Sequence, residues 1–230
     1  MPEATITHNT TNLNNRVRLA AQKSQRSPQD ICIVAASKTR SADTVRNAFQ
    51  SGITNFGENY LQEGLEKIHA LADLNLIWHF IGPIQSNKTR AIAENFNWVQ
   101  SVERLKIARR LSDQRPTQLP PLQLCLQVNI SGEASKSGAS PEELPELVEE
   151  IKKLPRVKLR GLMAIPAATS DPQLQQQAFK RLHKLLVQLQ TNTPDMDTLS
   201  MGMSGDLEAA IAQGSNMIRV GTDIFGPRSG

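Results

Sequence analysis

Short apolar runs alternate with amphipathic helical segments eight times along this sequence. The first run is Ile31–Ala36 and the last is Met217–Val220. Apolar runs of four to eight residues, rich in β-branched side chains, are typical of strands buried on both faces, as in parallel sheets. Eight such repeats within 230 residues favour a closed (β/α)8 TIM barrel over an open doubly wound sheet. No run is followed by G-x-G-x-x-G, so the pattern does not indicate a dinucleotide site.

The remaining elements follow from the same patterns. Six further strands are predicted at Ile53–Gly57, Leu76–Ile81, Trp98–Val102, Leu122–Ile130, Val157–Met163 and Asp197–Met201. Helices are predicted at Ser41–Gln50, Thr89–Asn95, Pro172–Gln190 and Asp206–Gln213, and Ser140 is the predicted N-cap of another. Leu13 and Val17 mark an extra helix before the first strand. We therefore predict a flexible N-terminus over residues 1–12 and a single barrel domain over residues 13–230.

Composition excludes several classes of function. The net charge is +4, but the basic residues are dispersed among 22 acidic ones, so binding to nucleic acid is not indicated. Cys32 and Cys125 both fall in apolar runs, as expected for core thiols in a reducing compartment. The four histidines are scattered, so we predict no metal site. No segment approaches the roughly 18 apolar residues of a membrane span, and Met1–Asn12 lacks a signal-peptide core. The prediction is a cytoplasmic protein.

A lysine directly follows the first strand, in the segment Ser37-Lys38-Thr39. The carboxyl ends of parallel strands are where α/β folds bind their ligands. A partly buried lysine has a lowered pKa, and its amine becomes nucleophilic enough to form a Schiff base. The alternative is a surface lysine whose stem covers the strand end.

Two glycine-containing segments follow the seventh and eighth strands, Met201–Asp206 and Gly221-Thr222. Free N–H groups at a helix start can bind phosphate, and Ser204 can act as an N-cap or a hydroxyl donor. Phosphate binding after strands seven and eight is common in this fold. The alternative is ordinary capping and turn formation. Asp206 favours that alternative, because its carboxylate would compete with phosphate.

Arg219 lies in the eighth strand, two residues before the second glycine segment. A buried guanidinium needs hydrogen-bond acceptors. It is therefore either a site residue or one partner in a structural ion pair.

Seven segments in order along the chain also resemble a known family, the pyridoxal phosphate homeostasis proteins, which are single-domain relatives of the alanine racemase N-terminal barrel. The segments are Val34–Thr39, Gly57–Glu63, Trp78–Lys88, Gln127–Gly138, Gly161–Pro166, Leu199–Asp206 and Arg219–Gly226.

The resemblance implies that the protein binds pyridoxal 5′-phosphate, and it implies a set of cofactor-binding residues. These are Lys38, Asn59, Met201, Ser204, Arg219, Gly221 and Thr222. Lys38 would hold the cofactor as a Schiff base, and Asn59 would contact its ring. Ser204, Gly221 and Thr222 would bind the phosphate, and Arg219 would face the pyridine nitrogen.

The resemblance also implies a role without turnover. Racemases of this fold take a second base, a tyrosine, from a C-terminal β-domain of the partner subunit. Here the sequence ends soon after the eighth strand, and its one tyrosine, Tyr60, is predicted to be a packing residue. We therefore expect a monomeric, non-catalytic protein of intracellular pyridoxal phosphate homeostasis and amino/keto acid balance, with amino acids as further ligands.

Two alternatives remain. One is a weak pyridoxal phosphate-dependent amino-acid racemase or transaminase that uses the same site. The other is a cofactor-free Schiff-base aldolase, which is disfavoured because no carboxylate–lysine pair stands out as an acid/base couple.

Overall fold

Eight parallel strands close into a barrel in chain order in a computed structural model, which describes residues 3–133, 137–167, 169 and 171–227. The strands are β1 (Cys32–Ala36), β2 (Asn55–Glu58), β3 (Ile77–Phe80), β4 (Trp98–Val102), β5 (Leu122–Gln127), β6 (Val157–Met163), β7 (Thr198–Ser200) and β8 (Met217–Val220). β1 and β8 pair with each other, with Val34 opposite Arg219. The predicted (β/α)8 architecture is confirmed.

The helices lie outside the barrel and after each strand, apart from the one that precedes β1. They are α1 (Glu3–Lys23), α2 (Ala42–Gln50), α3 (Leu61–Ala70), α4 (Thr89–Asn95), α5 (Leu105–Gln114), α6 (Leu144–Lys152), α7 (Pro172–Gln190), α8 (Leu207–Ala212) and α9 (Thr222–Phe225). Apolar side chains between the barrel and the helices, such as Phe56, Phe96 and Leu111, are fully buried.

The N-terminus differs from its prediction, because α1 begins at Glu3 and not near Leu13. Ile6 is fully buried, and Asn9 Nδ2 donates to the Ile224 carbonyl at 3.1 Å. The prediction of a flexible segment over residues 1–12 is therefore wrong from Glu3 onward, and residues 1–2 lie outside the described part. Most residues of this segment are polar, so its one narrow apolar face gives a weak helical pattern in the sequence.

Other boundaries differ by small amounts. β5 ends at Gln127 and not at Ile130, because beyond Gln127 the backbone pairs with Ala139 (Asn129 N–H to Ala139 O, 3.0 Å). In β6, Gly161 has φ +159°, and a Cβ there would lie 1.8 Å from Thr198 O. Pairing between β6 and β7 therefore requires glycine at this position.

Across the described ranges, every helix is too short or too polar to cross a membrane.

Candidate functional site

A cavity of about 230 Å³ opens at the carboxyl end of the barrel, where β1 and β8 meet. Its lining includes five of the seven predicted site residues, namely Lys38, Ser204, Arg219, Gly221 and Thr222. These residues come from three strand ends that are far apart in sequence. They are brought together because β8 closes the barrel against β1.

Lys38 lies in a tight turn directly after β1 and is half-buried. The turn is closed by Arg40 N–H donating to Ser37 O at 3.0 Å. Thr39 has φ +63°, a left-handed conformation that is unusual for a β-branched residue. The backbone beside Lys38 is therefore held in a conformation that the chain would not adopt unaided.

Ser204 lies in the loop after β7, Thr222 is the first residue of α9, and both line the cavity. The Asp223 N–H donates to Ser204 Oγ at 3.3 Å, which leaves the Ser204 hydroxyl hydrogen to donate elsewhere. Ser204 is not the N-cap of α8, since Asp206 occupies that position. The Asp206 carboxylate instead accepts from the Met203 N–H at 2.6 Å. The Asp206 carboxylate is therefore hydrogen-bonded within its own loop.

Arg219 is buried, with its side chain held at two points. Nη1 donates to Ser200 Oγ at 2.6 Å, and Nη2 donates to the Ala164 carbonyl at 2.9 Å. Burial lowers the pKa of Arg219 to about 10, so the guanidinium stays protonated near neutral pH. No carboxylate forms a salt bridge with it in the part of the chain that the structure describes. The two bonds use two of its five N–H donors.

A chain of hydrogen bonds continues from Arg219 across the barrel interior. Ser200 Oγ donates to Gln100 Oε1 at 2.6 Å, and Gln100 Nε2 lies 2.9 Å from His79 Nδ1. His79 Nε2 lies 2.9 Å from Asn55 Oδ1. Burial lowers the pKa of His79 to about 3, so the ring is neutral. Because Gln100 Nε2 can only donate, the network assigns the ring proton to Nε2, and every bond then donates away from Arg219.

Two predicted site residues do not line the cavity. Met201 is fully buried, and Met203, which is 40% exposed, lines the cavity instead. Asn59 follows β2, and its Oδ1 atom is buried without a hydrogen-bond partner.

Tyr60 is 59% exposed, so its prediction as a packing residue is wrong. A residue after a short strand can face the solvent when the helix that follows turns away.

Sequence reasoning missed a buried charged cluster behind the Lys38 turn. Glu58 at the end of β2 and Lys67 on α3 are 0% and 4% exposed, and Lys67 Nζ lies 2.8 Å from Glu58 Oε1. The available signals were a glutamate ending an apolar strand and a lysine on the inner side of the following helix.

Two further kinds of reactive group are a possible metal cluster and the two cysteine thiols. No group of three histidine, cysteine, aspartate or glutamate side chains that could hold a metal ion occurs among the described residues. Burial raises the pKa of Cys32 to about 11 and that of Cys125 to about 12. Both thiols therefore stay protonated and unreactive.

Comparison with known proteins agrees with this architecture. The family model described as "Alanine racemase, N-terminal domain" matches residues 8–229. The pyridoxal phosphate homeostasis protein of Pseudomonas aeruginosa is 58% identical over 225 residues, covering 98% of this chain and 96% of that protein. The protein of the same name from Escherichia coli is 49% identical, with 97% of each chain covered. The chain belongs to the alanine racemase N-terminal domain family and, within it, to the pyridoxal phosphate homeostasis proteins.

Solved structures give the same result. PipY of Synechococcus elongatus, solved with pyridoxal phosphate bound, is 36% identical and superposes with a TM-score of 0.79, covering 92% of this chain and 99% of PipY. Alanine racemase of Corynebacterium glutamicum is 16% identical with a TM-score of 0.68, covering 99% of this chain and 62% of the racemase. The racemase shares the fold.

Proposed function

We propose that the protein binds pyridoxal 5′-phosphate in the cavity between β1 and β8, holds it covalently on Lys38, and acts as a cytoplasmic, monomeric carrier in pyridoxal phosphate homeostasis and amino/keto acid balance. The observation that carries the proposal is the cavity itself, which joins one lysine, one buried arginine and two hydroxyl-bearing loops. The names of its relatives and the ligand of PipY agree with it.

The residues present fit the cofactor. A cavity of about 230 Å³ suits a ligand smaller than the drug-sized molecules that fill pockets of roughly 300–1,000 Å³. A Cβ at Gly221 would lie 3.3 Å from the Ala36 carbonyl oxygen. A side chain at this position would therefore crowd the backbone that lines the cavity. The unpartnered Asn59 Oδ1 is a buried acceptor at the same end of the barrel.

Each residue then has a separate task. Ser204 and Thr222 donate hydroxyl hydrogen bonds to the phosphate. The Lys38 amine adds to the cofactor's aldehyde carbon; a C=N bond forms, and the aldehyde oxygen leaves as water with both amine protons. The Arg219 side chain stays protonated. It can therefore donate a hydrogen bond to the pyridine nitrogen, but it cannot accept a proton from that nitrogen. When bound, the cofactor supplies an electron sink, which is weaker with an unprotonated ring nitrogen.

The lining of the cavity favours a carrier over an enzyme. Among its described residues, Lys38 is the one side chain that can serve as a base, since the others are arginine, hydroxyl, glycine or apolar residues. Inversion at a substrate carbon requires two positioned bases. His79 is held within the barrel chain, and Glu58 is paired with Lys67. We infer that bound amino acids exchange with Lys38 without being converted.

Lys38→Ala tests the covalent attachment. The wild-type protein with cofactor should absorb in the visible range, and Lys38→Ala should lose that band, whereas the exposed-site control Lys88→Ala should keep it. Borohydride reduction and peptide mapping should place the adduct on Lys38. An adduct on Lys88, or on Lys136, which lies outside the described residues, would contradict the proposal.

Proton exchange in deuterated water tests the absence of turnover. The α-proton of bound alanine or serine should exchange near the rate given by free cofactor, without inversion. Racemisation on the order of 1 s⁻¹ or faster, an ordinary enzymatic rate, would favour the racemase alternative.

A further inference from the structure

We propose that Lys67, together with Glu58 and Glu63, positions the Lys38 amine for its reaction with the cofactor. The inference rests on the proposed function, because it concerns the covalent step at Lys38. These three residues form the charged cluster behind the Lys38 turn, on the outer side of the barrel wall between β2 and α3.

Lys67 is the centre of this cluster and uses all three of its N–H donors. Nζ lies 2.8 Å from Glu58 Oε1, 2.6 Å from Glu63 Oε1 and 2.7 Å from the Ser37 carbonyl oxygen. An ammonium group has three donors and no acceptor, so the arrangement is complete. One lysine therefore joins the end of β1 to the end of β2 and to α3.

The cluster holds the chain on both sides of Lys38. Before it, the Ser37 carbonyl accepts from Lys67, and the Ser37 hydroxyl donates to Glu58 Oε1 at 2.6 Å. After it, the Thr39 N–H donates to Glu63 Oε1 at 2.5 Å. Thr39 is also the residue in the left-handed conformation. The strained turn that directs Lys38 is thus fixed by charge-assisted hydrogen bonds on either flank.

Stability alone does not account for such a cluster. Burying two charges is costly, and apolar residues of similar size often replace a buried ion pair without loss of stability. Glu58 Oε2 is buried with no partner, which adds to the cost. The Cβ that alanine would add at Gly64 would lie 3.3 Å from Glu58 Cβ, so α3 packs closely on this pair. The charged groups form hydrogen bonds to residues 37 and 39. Apolar side chains could not form them.

The first test removes the pair as a unit. Glu58→Leu/Lys67→Met removes the buried ion pair as a unit and leaves Glu63, which is partly exposed, with its bond from the Thr39 N–H. The buried Ser37 hydroxyl and carbonyl lose their partners, so the free energy of unfolding should fall, because a buried donor or acceptor without a partner is costly. The rate of covalent adduct formation with saturating pyridoxal phosphate, followed by visible absorbance, should fall roughly tenfold to a hundredfold, because small misplacements of a reacting group have effects of that size. Binding of pyridoxine 5′-phosphate, which lacks the aldehyde, should change less than about twofold, a change of under roughly half a kcal/mol.

The second test uses Glu63, which is only partly buried and whose removal should not affect folding. Glu63→Ala should slow adduct formation, and Glu63→Gln should recover part of the rate because its amide oxygen can still accept from Thr39 N–H. The control is Glu66→Ala on the same helix, since Glu66 contacts Gln62 and not the turn. If the double variant does not fold, this series decides the question.

The outcomes separate the two proposals. If wild-type protein forms no borohydride-trappable adduct on Lys38, the proposed function is wrong and the positioning role is wrong with it. If wild-type protein forms the adduct and Glu63→Ala forms it as fast as Glu66→Ala, only the positioning role is overturned. Equal losses in adduct rate and in pyridoxine 5′-phosphate binding would also overturn it, because they would indicate general damage to the site.

Discussion

Ser204 and Thr222 supply the side-chain hydroxyl groups of the proposed phosphate site. Ser204 Oγ already accepts from the Asp223 N–H, so its own hydrogen is free to point into the cavity. Thr222 begins α9 and is exposed at the cavity. Hydrogen bonds to charged groups contribute about 1.5–3 kcal/mol each.

We therefore expect Ser204→Ala/Thr222→Ala to weaken binding of pyridoxal phosphate by about 3 kcal/mol or more. Binding of unphosphorylated pyridoxal should change little, because it lacks the group that these hydroxyls contact. Titration followed by visible absorbance measures both ligands. Equal losses for the two would show that the hydroxyls do not contact the phosphate.

At the residue scale, the sequence predicts some of the site and not the rest. Lys38, Ser204 and Gly221 are visible because each lies within four residues of the end of a strand, where this fold binds its ligands. Glu58 and His79 were missed, because whether a strand residue faces the barrel interior or the helices depends on register. The sequence also could not distinguish Met201 from Met203 as the residue at the cavity, because both lie beyond β7 and Gly202 between them has φ +96°, so the alternation of an extended strand does not apply.

Among the elements, α1 has a role that the sequence did not predict. Arg16 forms ion pairs with Glu208 on α8, at 2.7 Å, and with Asp223 on α9. It also donates to the Ser204 carbonyl at 3.0 Å. One side chain of α1 therefore links the two loops that form the proposed phosphate site.

Arg16→Met should loosen this link while preserving the apolar stem of the side chain. The free energy of unfolding should fall by no more than about 1 kcal/mol, because the ion pairs are partly exposed. Affinity for pyridoxal phosphate should fall severalfold, since the two loops would no longer be held together before binding.

The control for this change is Arg18→Met, on the same helix, because Arg18 donates a hydrogen bond to Gln22 of α1 itself. It should bind the cofactor like the wild type. An Arg16→Met protein with unchanged affinity would show that the loops are held without α1.

The elements themselves were largely predictable. Thr89–Asn95, Trp98–Val102, Val157–Met163 and Pro172–Gln190 have the predicted bounds, because each is a strongly periodic or apolar run with clear turn residues at its ends. The start of α1 was not predictable in the same way. Its burial at Ile6 and its bond from Asn9 to Ile224 depend on the far end of the chain.

The whole molecule is crossed by the polar chain that runs from Arg219 to Asn55. Barrel interiors are usually filled with branched apolar side chains, whereas here five strands contribute one polar residue each. Every bond donates away from Arg219, so the acceptor end of each group faces the guanidinium. The arrangement turns neutral acceptors toward a buried positive charge that forms no salt bridge among the described residues.

His79 gives this chain a pH dependence that can be measured. The pKa of folded His79 is about 3, against 6.5 for an ordinary histidine, because burial disfavours the charged ring. As the pH falls below 6.5, the unfolded protein takes up a proton at His79 and the folded protein does not. The free energy of unfolding should therefore decline by up to roughly 1.4 kcal/mol per pH unit from this residue, with the loss complete below pH 3.

His79→Gln isolates that contribution, because glutamine does not titrate and can still form hydrogen bonds to its neighbours. Urea unfolding between pH 4 and pH 8 should show a shallower decline with falling pH in this variant, whatever its stability at pH 8. Carboxylates elsewhere contribute equally to both proteins and cancel in the comparison. The exposed His69 provides the control, and His69→Gln should decline as steeply as the wild type. Parallel curves for wild type and His79→Gln would mean that His79 is protonated as readily inside the barrel as in water, and the directional chain from Arg219 would then be wrong.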